Sequence, residues 1–220
     1  SPIRPVTELG RLTGIAVCLR LRPVTLRCAI HGGSGATMTT STPTAAPTVL
    51  FLCTGNAARS VMAAAMLRAV TDDVHITSAG THSIPGLPMS SRTRTALAGF
   101  DVVDKAHLSA QLEQPMVDEA ALIVIFEPMH LSYMRKKHPE ADHKVASLPR
   151  LAQHMPAGSL ETLEDRIRAL SLSNHAFEAW EEVIDPAGGD LPVFENSAAE
   201  IHALIAAFSS KIDVAGHARA

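Results

Sequence analysis

From Thr48 onward, short apolar runs alternate with stretches whose apolar positions recur at helical spacing. The run 48–55 (TVLFLCTG) is continuous, rich in strand-favouring residues and closed by a glycine, as a strand buried on both faces would be. Residues 60–69 (SVMAAAMLRA) follow, dominated by good helix formers, with Ser60 at the expected start. A second strand is expected at 74–78. A helix follows at 91–98, stopped by Gly99, and a short polar lead at 115–119 enters the apolar run 121–126 (ALIVIF). Residues 129–137 read as a helix ended by Pro139, and 145–148 as a short fourth strand. Residues 160–170 and 176–183 read as amphipathic helices, and 197–209 as a closing helix with Ala and Ile on one face. Strands alternating with helices predict an α/β fold: a single open four-stranded parallel sheet with helices on both faces. In such sheets ligands bind at the carboxyl ends of the strands, beside the point where strand order reverses.

Residues 1–46 break this pattern. Residues 1–37 carry Arg4, Arg11, Arg20, Arg22 and Arg27 against one acid, Glu8, and the apolar stretch 14–19 is short for a secretion signal. Met38 precedes the polar run TTSTPTAAPT, so a natural start near Met38 is expected, with residues 1–46 a disordered extension and residues 47–213 the folded domain.

Composition narrows the function. Of 220 residues, 46% are hydrophobic and 19% charged, which excludes a wholly disordered chain. No apolar run is long enough to span a bilayer, so no membrane partner is expected. A net charge of −3 leaves no basic excess with which to neutralise a nucleic acid backbone. Three cysteines, Cys18, Cys28 and Cys53, cannot form a disulfide framework and fit a reducing, cytoplasmic compartment. His138 and His143 lack a third ligand, so no metal or other cofactor is expected.

The chemistry concentrates in Cys53-Thr54-Gly55-Asn56-Ala57-Ala58-Arg59-Ser60, between the first strand and the first helix. A tight loop at a helix N-terminus presents backbone N–H groups and a positive dipole end to one centre, which makes an anion site. Gly55 can supply a left-handed turn, and Asn56 also tolerates that geometry. Arg59 offers a planar fork matched to two phosphate oxygens. The same positive field favours the thiolate of Cys53. A free cysteine is only about 3% ionised at pH 7, so complete ionisation gains about 30-fold, or ~2 kcal/mol. Phosphate ester hydrolysis needs far more, so positioning and charge stabilisation must supply most of the catalysis.

The string VLFLCTGNAARS resembles the signature of the low-molecular-weight protein tyrosine phosphatases and the related arsenate reductases. Similarity extends to 77–81 (TSAGT), 85–112, 121–130 (ALIVIFEPMH) and 184–205, about residues 47–212 in all. The resemblance implies a metal-independent phosphomonoesterase. Cys53 would form a phosphocysteine, and Arg59 would clamp the phosphate together with the N–H groups of 54–59. Asp185 would act as general acid and base, with Asp190 as the other candidate. Ser60 would hydrogen-bond the Cys53 sulfur. Asn56, supported by Ser78 and His107, would hold the loop in shape. The expected substrate is a phosphorylated protein or a small phosphomonoester, and the expected state a monomer.

Departures from the family pattern sharpen this. Ala58 stands where many members have a second cysteine, so a protective disulfide with Cys53 is not expected. The absence of cysteines after Cys53 also weighs against arsenate reduction through a relay of protein thiols. Arsenate reduction with an external thiol, or phosphate binding without turnover, remain as alternatives. The acid loop reads Asp185-Pro186-Ala187 where phosphotyrosine-specific members usually have an aromatic after the proline, and 82–91 contains no aromatic. Tyr133 and Trp180 lie outside these loops. Weak phosphotyrosine specificity is therefore expected. Ala57 offers no polar contact to a phosphoarginine. Residues 150–183 exceed the family's usual connection and are expected to add a helical cover.

Overall fold

The computed structural model describes residues 46–157 and 162–212. The expectations for residues 1–45, including the start near Met38 and the disordered extension, lie outside these residues.

The strands are β1 (Thr48–Cys53), β2 (His75–Gly80), β3 (Ala120–Ile125) and β4 (Val145–Ser147). They form one parallel sheet in the order β2-β1-β3-β4. The helices are α1 (Arg59–Arg68), α2 (Ser91–Ala98), α3 (Gln114–Glu119), α4 (Pro128–Lys137), α5 (Leu148–His154), α6 (Leu163–Ala169) and α7 (Leu191–Ile212). This is the expected α/β architecture.

The continuous apolar runs mark strands buried on both faces, and the pleat sorts their side chains with a period of two. Val49, Phe51 and Cys53 of β1 and Leu122 and Val124 of β3 pack with α1, α2, α5, α6 and α7. Leu50, Leu52, Ile123 and Ile125 face α3 and α4. Helix α1 is buried from Arg59 through Leu67, which explains its run of Ala and Met: small side chains let it sit close to both the sheet and α7. Along the 22 residues of α7, Phe194, Ala198, Ile201, Ile205, Phe208 and Ile212 form one apolar stripe against this core.

Three local expectations change. Ser60 does not cap α1; the cap residue is Ala58, which has no side-chain hydrogen bond, and Ser60 is the second helical residue. Residues 176–183 form no amphipathic helix, only a single 3-10 turn at Ala179–Glu181. Glu181 is fully buried there, accepting from Ser147 Oγ, from Arg150 and from the Glu178 N–H, while the Val183 N–H donates to the Phe126 carbonyl at 2.8 Å. These anchors pull the segment away from helical geometry. The closing helix α7 begins six residues earlier than expected, with Pro192 in its first turn, where proline's missing N–H costs nothing.

The strand order reverses between β1 and β3. The loops that leave their carboxyl ends, 54–58 and 126–127, therefore meet at one crevice.

Candidate active site

Every backbone carbonyl of the loop between β1 and α1 is engaged. The Cys53 and Thr54 carbonyls accept from the Thr81 and His82 N–H groups, each at 2.9 Å. Gly55 O accepts from Ser83 Oγ (3.1 Å), Asn56 O from His107 Nε2 (3.1 Å) and Ala57 O from Thr93 Oγ1 (2.8 Å). Ala58 O accepts from the Met62 N–H inside α1. The N–H groups of Thr54 through Ala58 meet no acceptor among the described residues. With every carbonyl drawn outward, these donors are left for an anion at the start of α1.

Asn56 carries the left-handed turn, with φ of 49°. Gly55, expected to share that role, has no positive φ. The Asn56 amide supports the turn: its Nδ2 donates to Ser60 Oγ and Ser78 Oγ at 3.0 Å, and its Oδ1 accepts from the Ala110 N–H at 2.8 Å. Because Ser60 Oγ accepts from Asn56, its own proton is free for Cys53 Sγ, 3.0 Å away. His107 is neutral at physiological pH, its pKa lowered by burial, and donates through Nε2 to the Asn56 carbonyl.

Gly80 at the end of β2 matters for space. A Cβ there would lie 2.7 Å from the Thr54 carbonyl, 2.8 Å from Ser83 Cβ and 3.0 Å from the Asn56 nitrogen.

Arg59 opens α1 and is 1% exposed. Its NH1 donates to the Val183 carbonyl (3.0 Å), and its NH2 lies 3.0 Å from Glu127 Oε1 and 2.9 Å from Asp185 Oδ2. Its Nε is buried without a partner, an unused donor on a cation. Asp185 is 38% exposed, and its other oxygen accepts from the Ala187 N–H. Asp190 lies before α7, where its carbonyl accepts from the Phe194 N–H.

The structure thus brings Cys53, Ser60, Asn56, Ser78 and His107 into one hydrogen-bonded set and pairs Arg59 with Asp185, the two sets joined through the backbone of the loop. Sequence reasoning missed Glu127, His130, Thr93, Ser83 and Gly80. A usable signal existed for the first two: the string FEPMH leaves the most apolar strand at the point of strand-order reversal. His130 Nε2 lies 2.8 Å from Glu127 Oε1, and Thr54 Oγ1 donates to the same oxygen at 3.0 Å. The His130 hydrogen bond, followed by Arg59, holds the Glu127 carboxyl well below the usual carboxylate range against the opposing effect of burial. Burial keeps His130 neutral. Among the described residues, no group of three His, Cys, Asp or Glu could hold a metal ion, and no helix is long and apolar enough to cross a membrane.

A family model for low molecular weight phosphotyrosine protein phosphatases matches residues 48–216. The chain belongs to this family: it is a hydrolase of the family's metal-independent, cysteine-based type. It is 28% identical over 137 residues to a probable low molecular weight protein-tyrosine-phosphatase, EpsP, of Ralstonia nicotianae, covering 60% of this chain and 92% of that protein. It is 26% identical over 165 residues to a protein-arginine-phosphatase of Geobacillus stearothermophilus, covering 74% and 95%. The solved YwlE arginine phosphatase from Geobacillus stearothermophilus superposes with a TM-score of 0.60 at 25% identity, covering 75% of this chain and 92% of that one.

Proposed function

We propose that the protein hydrolyses phosphomonoesters through a phosphocysteine intermediate, with Cys53 as nucleophile, Arg59 as phosphate clamp and Asp185 as general acid and base. The observation that carries this reading is the loop that follows Cys53, whose carbonyls are all engaged while the N–H groups of Thr54 through Ala58 meet no acceptor among the described residues. A tetrahedral dianion there would take those donors together with Arg59 Nε.

In the first step the Cys53 thiolate attacks phosphorus, the S–P bond forms and the P–O bond breaks. Asp185 gives its proton to the leaving oxygen. In the second step Asp185 takes a proton from water, which attacks phosphorus and displaces the Cys53 thiolate, releasing inorganic phosphate. Asp185 must first leave Arg59, and its partial exposure on a loop permits that movement.

Residues next to the loop bear on the substrate class. Each aliphatic side chain there neighbours a residue that touches the anion loop or Arg59: Ile84 (71% exposed) follows Ser83, Met129 (66%) precedes His130, and Ile184 (72%) lies between Val183 and Asp185. These three positions offer no ring to stack on a phenyl group; the aromatic pair near the loop, His82 and Tyr133, is engaged edge to face, with ring centroids 5.8 Å apart. Turnover of phosphotyrosine, phosphoserine and small phosphoesters within about one order of magnitude of one another is expected. The similarity to the Geobacillus arginine phosphatase favours adding phosphoarginine peptides to this panel.

The deciding assay is p-nitrophenyl phosphate turnover at pH 5–7 in EDTA, comparing wild type with Cys53→Ser. Turnover that vanishes in the variant is expected. Inactive wild type combined with thiol-dependent reduction of arsenate would replace this reading.

A further inference from the structure

The site contains a histidine that the hydrolytic steps do not use. His130 lies in the first turn of α4 and is 1% exposed. Its ring is pinned at both ends. Nδ1 accepts from the Phe126 N–H at 3.3 Å, so the ring's one proton sits on Nε2. Nε2 faces Glu127 Oε1 at 2.8 Å and Thr54 Oγ1 at 3.1 Å.

Glu127 Oε1 is a shared acceptor. It takes the Thr54 hydroxyl, the Arg59 NH2 and the His130 Nε2–H, which tie a side chain of the anion loop and the clamp to the end of β3. Arg59 NH1 is meanwhile fixed on the Val183 carbonyl. With the far side of the guanidinium held, Nε is the edge left without a partner.

We propose that His130 is a positioning residue for anion binding: its Nε2–H orients the Glu127 carboxylate, and Glu127 in turn sets the orientation of Arg59 and Thr54 toward the bound phosphoryl group. The inference rests on the phosphatase reading above and deepens it. A neutral ring serves this task better than a cation. A second ring proton would repel the Phe126 N–H, and a second positive charge would lie beside Arg59. The charged and titratable groups acting on the ring are Glu127, Arg59 and Asp185.

The two ends of the ring can be separated by substitution. Gln at 130 places an amide N–H near the Nε2 position and keeps the donor to Glu127. Asn places its amide near the Nδ1 position, where it can serve Phe126 but cannot reach Glu127. Binding of inorganic phosphate, measured by titration calorimetry, reads the effect without turnover. His130→Asn is expected to weaken phosphate about tenfold, the scale of a buried charged partner left incompletely hydrogen-bonded. His130→Gln is expected to stay within about twofold of wild type. In a Glu127→Gln background, His130→Asn should add no further loss, because its action runs through Glu127.

Equal affinity in wild type and His130→Asn would overturn the proposal. So would the opposite ranking of Asn and Gln, or additive losses in the double variant, because each assigns the ring to packing alone. Failure of the phosphatase reading looks different: the wild type itself then shows no p-nitrophenyl phosphate turnover, whatever the variants do to phosphate affinity.

Discussion

The anion loop and the acid loop meet at Arg59, yet they are built in opposite ways. Residues 53–58 are fastened at every carbonyl by groups from residues 81–83 just beyond β2, from α2, from α1 and from the 104–107 turn. The loop that carries Asp185, the proposed acid, is fastened upstream of it. Glu181 is locked to Ser147 and Arg150, Val183 bonds both Phe126 and Arg59, and Asp185 beyond them is partly exposed. Stabilising charge demands donors that do not reorganise during the reaction. Moving a proton demands a group that can approach and withdraw. A densely fastened loop and a sparsely fastened one thus meet at Arg59, with Val183 as the boundary between the anchored and the partly exposed part of the second.

Changing the acid loop chemically should produce the largest contrast. Asp185→Asn is expected to lower kcat by about 10²–10⁴-fold, while inorganic phosphate binds at least as tightly as in wild type. The carboxylate that pairs with Arg59 would be gone, and steady-state kinetics with phosphate inhibition reads both effects. The next effect comes from the anchor. Glu181→Gln leaves Arg150 without its buried charged partner and should cost about 3 kcal/mol of stability. kcat should also fall, because the segment that leads to Asp185 loses its hold. Chemical denaturation together with kcat measures this.

On the rigid side, Gly80→Ala pushes a methyl group against the Thr54 carbonyl and should cost about 1–3 kcal/mol. It should weaken phosphate rather than slow the acid step, the reverse of the Glu181 variant, and a Kd for phosphate beside a melting curve separates them. The smallest effect concerns pH. Burial lowers the folded-state pKa of both His107 and His130 below the ordinary value of 6.5. The unfolded chain therefore takes up protons first as pH falls. Their contribution to stability is present above pH 6.5 and is lost progressively below it, down through the depressed folded values. Melting temperature should decline from pH 7 toward pH 5, and His107→Asn should flatten part of that decline.

The same two regions explain what the sequence disclosed. The anion loop is contiguous, so its cysteine, asparagine, arginine and serine could be read as one string. The sheet was legible because strands buried on both faces must be continuously apolar. The supporting groups were not legible, because Thr93, Ser83 and Gly80 reach the loop only after α2 and β2 have packed beside it. Residues 176–183 misled for a related reason. Their apolar and charged spacing allows a helix, but Glu181 and Val183 find stronger partners on β4, α5 and the end of β3 than a helix could give them. Local propensity yields wherever a buried carboxylate can be fully satisfied elsewhere.

The outward hold on the loop carbonyls also bears on how the site tolerates sequence drift. Its free donors belong to the main chain, so exchanging the exposed side chain of Ala57 leaves those donors in place, and only proline, which lacks the N–H, deletes one. Selection can then explore new leaving groups at the rim without first risking the grip on the phosphoryl group.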